Sequence, residues 1–154
     1  MQLTIKQGDL FADDAEALVN AVNCKGVMGA GVAKVFKDRF PLYFLDYNMK
    51  CQFDMVVVGN VDIYALWDTF GLRYVISFPT MENPGEATRE STLNAGLRAL
   101  VKAAETFRIP SIAMPALGCG IGGFAFERFA TLVAEAFVNK PCDIRLYQPW
   151  EKRR

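Results

Sequence analysis

Residues Glu16 to Phe36 read E-A-L-V-N-A-V-N-C-K-G-V-M-G-A-G-V-A-K-V-F. The apolar run Ala17–Val22 predicts a strand that is covered on both faces. The turn after it contains Gly26, Gly29 and Gly31, and a helical pattern follows. Glycines let the backbone approach a ligand closely, and a helix N-terminus offers unpaired N–H groups and a partial positive charge to an anion. The stretch therefore predicts a strand, an anion-binding loop and a helix.

A second stretch repeats this plan near the end of the chain. Residues Ser111 to Gly123 read S-I-A-M-P-A-L-G-C-G-I-G-G, and a helical pattern again follows. A strand is predicted over Ile112–Leu117, and its loop contains Gly118, Gly120, Gly122 and Gly123. Ligands of open α/β sheets bind outside the carboxyl ends of the strands. Two glycine loops at that edge predict a phosphate-bearing ligand held between them.

The length and composition indicate one globular domain, residues 1–154. The chain is 52% hydrophobic and 22% charged, which is typical of a globular protein. No run approaches the roughly 18 apolar residues of a membrane span. The first residues lack the basic and apolar regions of a signal peptide. We expect a cytoplasmic protein with no membrane partner, and a monomer.

The chain has no histidine, which restricts the chemistry available to it. Ser-His and Cys-His nucleophile pairs are excluded, and a metal site would lack its commonest side-chain ligand. The cysteines show no C-x-x-C pairing, so we expect free thiols, no metal and no cofactor; they are Cys24, Cys51, Cys119 and Cys142. Seventeen acidic residues balance seventeen basic ones, so no global positive field attracts nucleic acid.

The remaining pattern alternates strands with helices. Further strands are predicted at Gln2–Lys6, Arg73–Phe78 and Asp143–Tyr147, and helices over Tyr43–Lys50, along Leu93, Leu97 and Leu100, and along Phe129, Leu132 and Val133. A hairpin is predicted from Met55–Val58 and Val61–Leu66 around Gly59-Asn60, with a loop over Trp67–Gly71. This order predicts a three-layer α/β/α sandwich with a mixed, mostly parallel sheet.

Neither of two familiar phosphate motifs occurs in its usual context. The chain has no G-x-x-x-x-G-K-[ST], which excludes a P-loop. The pattern G-x-G-x-x-G occurs at residues 118–123, but it lies too late in the chain for a second βαβ half to follow. This position disfavours a dinucleotide dehydrogenase.

Five motifs in order over almost the whole chain resemble those of macrodomains. They are G-D-L-F near the start, V-N-A-V-N-C with V-M-G-A-G-V-A and F-K-D-R-F-P, Y-V-I-S-F-P-T, S-I-A-M-P-A-L-G-C-G, and the closing L-Y-Q-P. The V-M-G-A-G-V-A loop and the F-P-T strand end are most similar to the branch that holds the terminal ADP-ribose protein glycohydrolase and the DNA ADP-ribosyl glycohydrolase antitoxins.

The resemblance implies an ADP-ribose pocket. Asp9 would bind the adenine amino group, the first glycine loop would border the distal ribose, and the second would wrap the diphosphate. Without the resemblance, the residues also allow structural roles. Asp9 could form an Asx turn or cap Asp13–Ala15, and Tyr147 could cover the core instead of packing beside adenine. The expected ligand-binding residues are Asp9, Leu10, Asn20, Asn23, Gly26, Met28, Gly29, Gly31, Val32, Thr80, Met81, Leu117, Gly118, Cys119, Gly120, Ile121, Gly122, Gly123, Phe124 and Tyr147.

The chain departs from that branch at two catalytic places. The resembling hydrolases have a lysine where this chain has Met81, and the protein glycohydrolase has an aspartate where it has Gly122. Catalysis would then fall to Asn23, which could orient water, and Lys25, which could stabilise a leaving group; a solvated loop lysine is the alternative for Lys25.

We therefore expect ADP-ribose binding with hydrolysis of an ADP-ribosyl linkage on protein or nucleic acid, or of ADP-ribose 1''-phosphate. The alternative is a reader that binds ADP-ribose without turnover.

Overall fold

The computed structural model describes residues 1–69 and 71–149. Strands and helices alternate along much of the chain, although two helices and then two strands follow one another after the second strand, and a short 3-10 helix lies at Leu10–Ala12. The strands are β1 (Gln2–Lys6), β2 (Ala17–Val22), β3 (Asp62–Asp68), β4 (Gly71–Pro79), β5 (Ser111–Met114) and β6 (Asp143–Tyr147). The helices are α1 (Gly31–Arg39), α2 (Pro41–Gln52), α3 (Glu90–Thr106) and α4 (Phe126–Ala136).

The six strands form one mixed sheet in the order β1-β6-β5-β2-β4-β3. Every neighbouring pair is parallel except β3 and β4, which are antiparallel. Strand β2 lies between β5 and β4, with Leu18 opposite both Ala113 and Val75. The predicted mixed, mostly parallel sheet is confirmed.

Helices cover the sheet on both faces. Ala17 and Val19 of β2 pack into a core with α3 and α4, whereas Leu18 and Val22 pack into a second core with α1 and α2. Successive side chains of a strand point to opposite faces, which explains why β2 is apolar throughout. The predicted three-layer α/β/α sandwich is therefore confirmed.

The predicted hairpin around Gly59-Asn60 is wrong. Residues 53–61 form no strand, and the antiparallel pair is β3 with β4, from Asp62 opposite Ser77 to Asp68 opposite Gly71. The residues predicted as a loop over 67–71 contain the end of β3 and the start of β4, although Phe70 lies outside the described residues. Gly59 has a φ of +92°, which signals a turn, but that turn connects α2 to β3 instead of two strands.

The carboxyl ends of β5, β2 and β4 lie side by side, so the segments that follow them meet at one edge of the sheet. We call residues 23–30 after β2 the first loop, residues 80–89 after β4 the middle segment, and residues 115–125 after β5 the second loop. In the part of the chain that the structure describes, no helix has the length and apolar character of a membrane span.

Candidate functional site

The middle segment joins the two glycine loops through backbone hydrogen bonds. Cys24 of the first loop donates its N–H to the Glu82 carbonyl at 2.9 Å. Thr88 donates its N–H to the Gly122 carbonyl of the second loop, also at 2.9 Å. The three segments consequently form one surface above the sheet, as the shared edge predicts.

Side chains determine the shape of the first loop. The Asn23 amide accepts the Lys25 N–H at 2.9 Å and donates to the Val27 carbonyl at 2.8 Å. The Tyr47 hydroxyl, which projects from α2, donates to the carbonyl oxygen of Asn23 at 2.7 Å. Asn48 of the same helix donates to the Gly26 carbonyl at 3.1 Å. Helix α2 therefore supports the first loop from below.

The first loop ends at an uncapped helix N-terminus. Residue Ala30 occupies the N-cap of α1 and provides no side-chain hydrogen bond, and Gly31 begins the helix with a φ of +61°. The first turn contains no acidic residue. Unpaired N–H groups and the helix dipole leave a partial positive charge at this end, which suits an anion.

The second loop leaves three successive N–H groups without a protein acceptor. Phe124 donates its N–H to the Gly118 carbonyl at 2.9 Å, and Gly123 donates to the Gly120 carbonyl at 3.1 Å. Within the described residues, the N–H groups of residues 120–122 make no hydrogen bond. Successive free backbone N–H groups in a turn form a nest that binds anions.

Thr88 fills the space inside the second loop and explains two of its glycines. A Cβ on Gly118 would meet the Thr88 side chain at 2.6 Å, and one on Gly122 would overlap the Thr88 hydroxyl and approach the Gly118 carbonyl at 2.7 Å. A Cβ on Gly120, in contrast, meets nothing within 4 Å. The aspartate that the resemblance places at position 122 is thus absent and also sterically excluded.

Asp9 and Tyr147 both have structural partners. The Asp9 carboxylate accepts the Phe11 N–H at 2.9 Å and caps the 3-10 helix Leu10–Ala12, not the segment Asp13–Ala15. The Tyr147 side chain is buried, and its hydroxyl donates to Asp13 at 2.7 Å. Burial alone raises the pKa of Asp13, but hydrogen bonds from Tyr147 and Arg145 outweigh it and leave that pKa below its usual value. The contacts of Asp9 and Tyr147 with adenine remain predictions.

The predicted ligand-binding residues lie at three depths. The first group is exposed and can meet a ligand directly: Asp9, Gly29, Gly31, Val32, Gly120, Ile121 and Gly123. The second group is partly buried: Asn23, Met81, Cys119 and Phe124. The third group is buried beneath the loops: Leu10, Asn20, Gly26, Met28, Thr80, Leu117, Gly118, Gly122 and Tyr147. The sequence missed Tyr47, Asn48 and Thr88, because no motif marks a residue that only supports a loop.

The two candidate catalytic residues, Asn23 and Lys25, differ in the hydrogen bonds and the exposure of their side chains. The Asn23 side-chain oxygen accepts the Lys25 N–H and lies 3.1 Å from the Tyr47 hydroxyl, which donates mainly to the Asn23 backbone carbonyl. The Lys25 side chain is half exposed, and its Nζ lies 4.0 Å from a Glu82 carboxylate oxygen. The geometry therefore gives Asn23 a loop-shaping role and leaves Lys25 as a half-exposed cation beside the middle segment.

The thiols next to the loops are poor nucleophiles. Burial raises the pKa of Cys119 to about 11 and also raises that of Cys24. The reactive form of cysteine is the thiolate, which is scarce for both residues at neutral pH. All four cysteines are free thiols, as predicted.

A groove of about 330 Å³ lies at the opposite edge of the sheet, where β5 and β6 begin. Its lining is mainly apolar and contains no glycine: Val101, Ala104, Glu105, Arg108, Ile109, Pro110, Phe137, Lys140, Pro141 and Cys142. Lys140 and Glu105 form an ion pair of 2.8 Å there. The unpaired N–H groups of residues 120–122 and the open N-terminus of α1, which favour an anion, lie at the other edge.

Comparison with known proteins agrees with this geometry. The family model of the Macro domain matches residues 19–133, which contain both glycine loops and the middle segment. The chain is a macrodomain. The macrodomain of Mycobacterium tuberculosis DarG superposes with a TM-score of 0.93 and 35% sequence identity, over 97% of this chain and 99% of that structure.

Two further relatives are longer than this macrodomain. The DNA ADP-ribosyl glycohydrolase of Mycobacterium tuberculosis is 36% identical over 148 residues, and the match covers 96% of this chain and 42% of the relative. Thermosipho africanus DarTG in complex with ADP-ribose superposes with a TM-score of 0.91 and 27% identity, over 99% of this chain and 43% of that one. The macrodomain thus spans less than half of the length of each of these two relatives.

Proposed function

We propose that this macrodomain binds ADP-ribose between its two glycine loops and hydrolyses an ADP-ribosyl linkage. The observation that carries the proposal is the row of three unpaired N–H groups at residues 120–122. A diphosphate supplies several acceptor oxygens to such a nest. The open N-terminus of α1 adds a second positive end at the same edge of the sheet.

The positions of the distal ribose and the adenine follow from the position of the diphosphate. The first loop borders the distal ribose, and the exposed carboxylate of Asp9 accepts from the adenine amino group. Asp9 can do both this and cap its helix, because a carboxylate has about four acceptor positions and the cap uses one. The complex of the Thermosipho africanus relative with ADP-ribose supports the choice of ligand.

Hydrolysis would proceed by attack of water on the anomeric carbon of the distal ribose. The bond from water oxygen to that carbon forms, the bond to the acceptor breaks, and the water proton passes to solvent or to the leaving group. We assign to Lys25 the stabilisation of the leaving group, and its half-exposed ammonium beside Glu82 in the middle segment supports this assignment. The name of the Mycobacterium tuberculosis relative favours an acceptor on DNA, and such an acceptor fits a cytoplasmic protein.

A reader without turnover is the second candidate function. It is favoured by Met81, which has no proton to exchange, and by the packing of Thr88 against Gly122, which excludes a carboxylate from the second loop. The hydrolase and the reader share the ADP-ribose binding site and differ only in whether ADP-ribose is released from its acceptor.

Calorimetric titration with ADP-ribose, followed by a release assay on ADP-ribosylated DNA and protein, tests both candidates. Binding with release supports the hydrolase, and the preferred substrate identifies the acceptor. Binding without release supports the reader. Absence of binding in a folded sample overturns the pocket itself.

A further inference from the structure

Helix α2 is apolar on two opposite sides. Its inner side buries Tyr43, Tyr47 and Cys51 at a spacing of four residues. Four large side chains lie on its outer side, and we call them the outer stripe: Leu42, Leu45, Met49 and Phe53, the last directly after the helix. A helix that is apolar all round is normally buried, yet this one is covered on one side only.

The outer stripe is strongly exposed. The exposed fractions are 69% for Leu42, 61% for Leu45, 48% for Met49 and 71% for Phe53. Single exposed apolar side chains are common on protein surfaces, but contiguous patches of several hundred Å² mark interaction sites. The spacing of three, four and four residues keeps these four on one face of the helix.

We propose that the outer stripe is the interface of a symmetric dimer, in which α2 packs antiparallel against α2 of a second copy of this chain. The area fits this occupant. If a large apolar side chain has a surface of ~200 Å², the stripe exposes about 500 Å². Two copies then bury about 1,000 Å² of apolar surface, close to the apolar share of a standard interface of about 1,600 Å².

The charges beside the stripe also suit a second copy. One edge carries Asp46 and Lys50, one turn apart and joined by an ion pair of 2.8 Å. A two-fold axis near residue 48 brings this edge beside the same edge of the second copy in reverse order. Asp46 of each copy then lies near Lys50 of the other, although Lys50 also pairs with Asp62 of its own chain at 3.0 Å. The opposite edge of α2 carries the uncharged Pro41, Asn48 and Gln52. The charges of α2 itself therefore present no like-charge barrier to self-association.

The pairing leaves the candidate site open. The inner side of α2 carries Tyr47, which holds the first loop, whereas the stripe faces away from the sheet. The proposal does not depend on the proposed function, because it concerns a surface that the ligand does not contact. It replaces the monomer that we expected from the sequence, and solution mass decides between the two.

Sedimentation equilibrium of the whole chain from low to high micromolar concentration is the first experiment. We expect a mass approaching twice the 17.1 kDa of the chain. Leu45→Glu places a charge in the centre of the stripe and is expected to weaken the dimer at least about tenfold. Val138→Glu is the matched control, since Val138 is 56% exposed and lies after α4, and it should leave the dimer unchanged.

Crosslinking tests the antiparallel arrangement independently. Met49→Cys lies near the proposed two-fold axis, so mild oxidation should give a reducible covalent dimer, whereas Val138→Cys should not. A wild-type protein that stays monomeric at all concentrations overturns the proposal. A dimer that Leu45→Glu does not weaken, or that Met49→Cys does not crosslink, shows that another surface pairs and overturns it as well.

Discussion

The two glycine loops lie at the same edge of one sheet but keep their shapes by different means. Side chains hold the first loop, because Tyr47 and Asn48 of α2 donate to its carbonyl oxygens and Asn23 bonds across it. The second loop folds mainly on backbone hydrogen bonds, with one more from the Cys119 thiol to the Leu117 carbonyl at 3.6 Å. It wraps around Thr88, where two of its positions have no room for a Cβ.

This difference shows what each loop can tolerate. A loop held by several hydrogen bonds loses about 1 kcal/mol when one of them is removed and accepts new side chains on its outer side. The exception is Gly26, where a Cβ would meet the Asn48 side chain at 2.7 Å. A loop held by close approach to a filled interior fails as soon as one atom is added on the wrong side. The predictions below test this contrast, from the largest expected effect to the smallest.

Gly120→Glu should abolish ADP-ribose binding and leave the fold intact. The new side chain enters open space, since a Cβ at this position meets nothing within 4 Å, but it places a carboxylate beside the free N–H groups. Two like charges about 4 Å apart repel by roughly 4 kcal/mol near a protein surface, so the affinity should fall at least about 100-fold. Titration calorimetry measures the loss, and Gly120→Ala should bind nearly as the wild type. Unchanged affinity in folded Gly120→Glu protein would contradict the phosphate nest.

Gly122→Ala should destabilise the protein, by about 2 kcal/mol, because the added methyl group overlaps the Thr88 hydroxyl. Thr88→Ala removes that hydroxyl, and the double variant should recover part of the loss. Urea denaturation of the four proteins gives the coupling energy, which we expect to exceed about 1 kcal/mol for residues in contact. Strict additivity would mean that Thr88 does not shape the second loop.

Met81→Lys should raise the rate of ADP-ribose release about tenfold, whereas Gly122→Asp should lower stability and binding. Position 81 is partly exposed beside the first loop, so an ammonium can be placed there without burial of a charge. Release from ADP-ribosylated DNA and protein is the measurement, with Met81→Gln as the uncharged control of similar size. If Met81→Lys binds ADP-ribose but gains no activity, more than the lysine is missing from this site.

Tyr47→Phe should have the smallest effect, a loss of about 1 kcal/mol in the free energy of unfolding, because only the hydroxyl donor to Asn23 disappears. Urea denaturation measures the loss, and the affinity for ADP-ribose should weaken only a few-fold. Loss of all ADP-ribose binding in Tyr47→Phe would show that the first loop tolerates the removal of a contact no better than the second loop tolerates an added atom.

The sequence predicted most elements because their signals are local. The bounds of β1, β2 and β6 match the predicted strands, and α3 buries the predicted face of Leu93, Leu97 and Leu100. The predicted hairpin was wrong because Gly59 indicates a turn but does not indicate which two elements the turn connects. The true partner of β3 is β4, and a pairing of strands depends on the whole sheet.

The candidate site was predicted in outline by motif and completed by contacts. The glycine loops and the Asx turn of Asp9 were predicted from the sequence, whereas the alternative that Asp9 caps residues 13–15 was wrong, because it caps the 3-10 helix Leu10–Ala12. The supporting residues Tyr47 and Thr88 lie far along the chain from the loops that they hold, and neither belongs to a motif.

By itself, the sequence determined the order of strands and helices, the two glycine loops, and the absence of histidine and of the branch lysine. These features depend on periodicity and residue type, which are written along the chain. Only the tertiary structure decided which N–H groups stay unpaired, why position 122 accepts no side chain, and which side of α2 faces solvent. Each of these depends on atoms from distant segments that folding brings into contact.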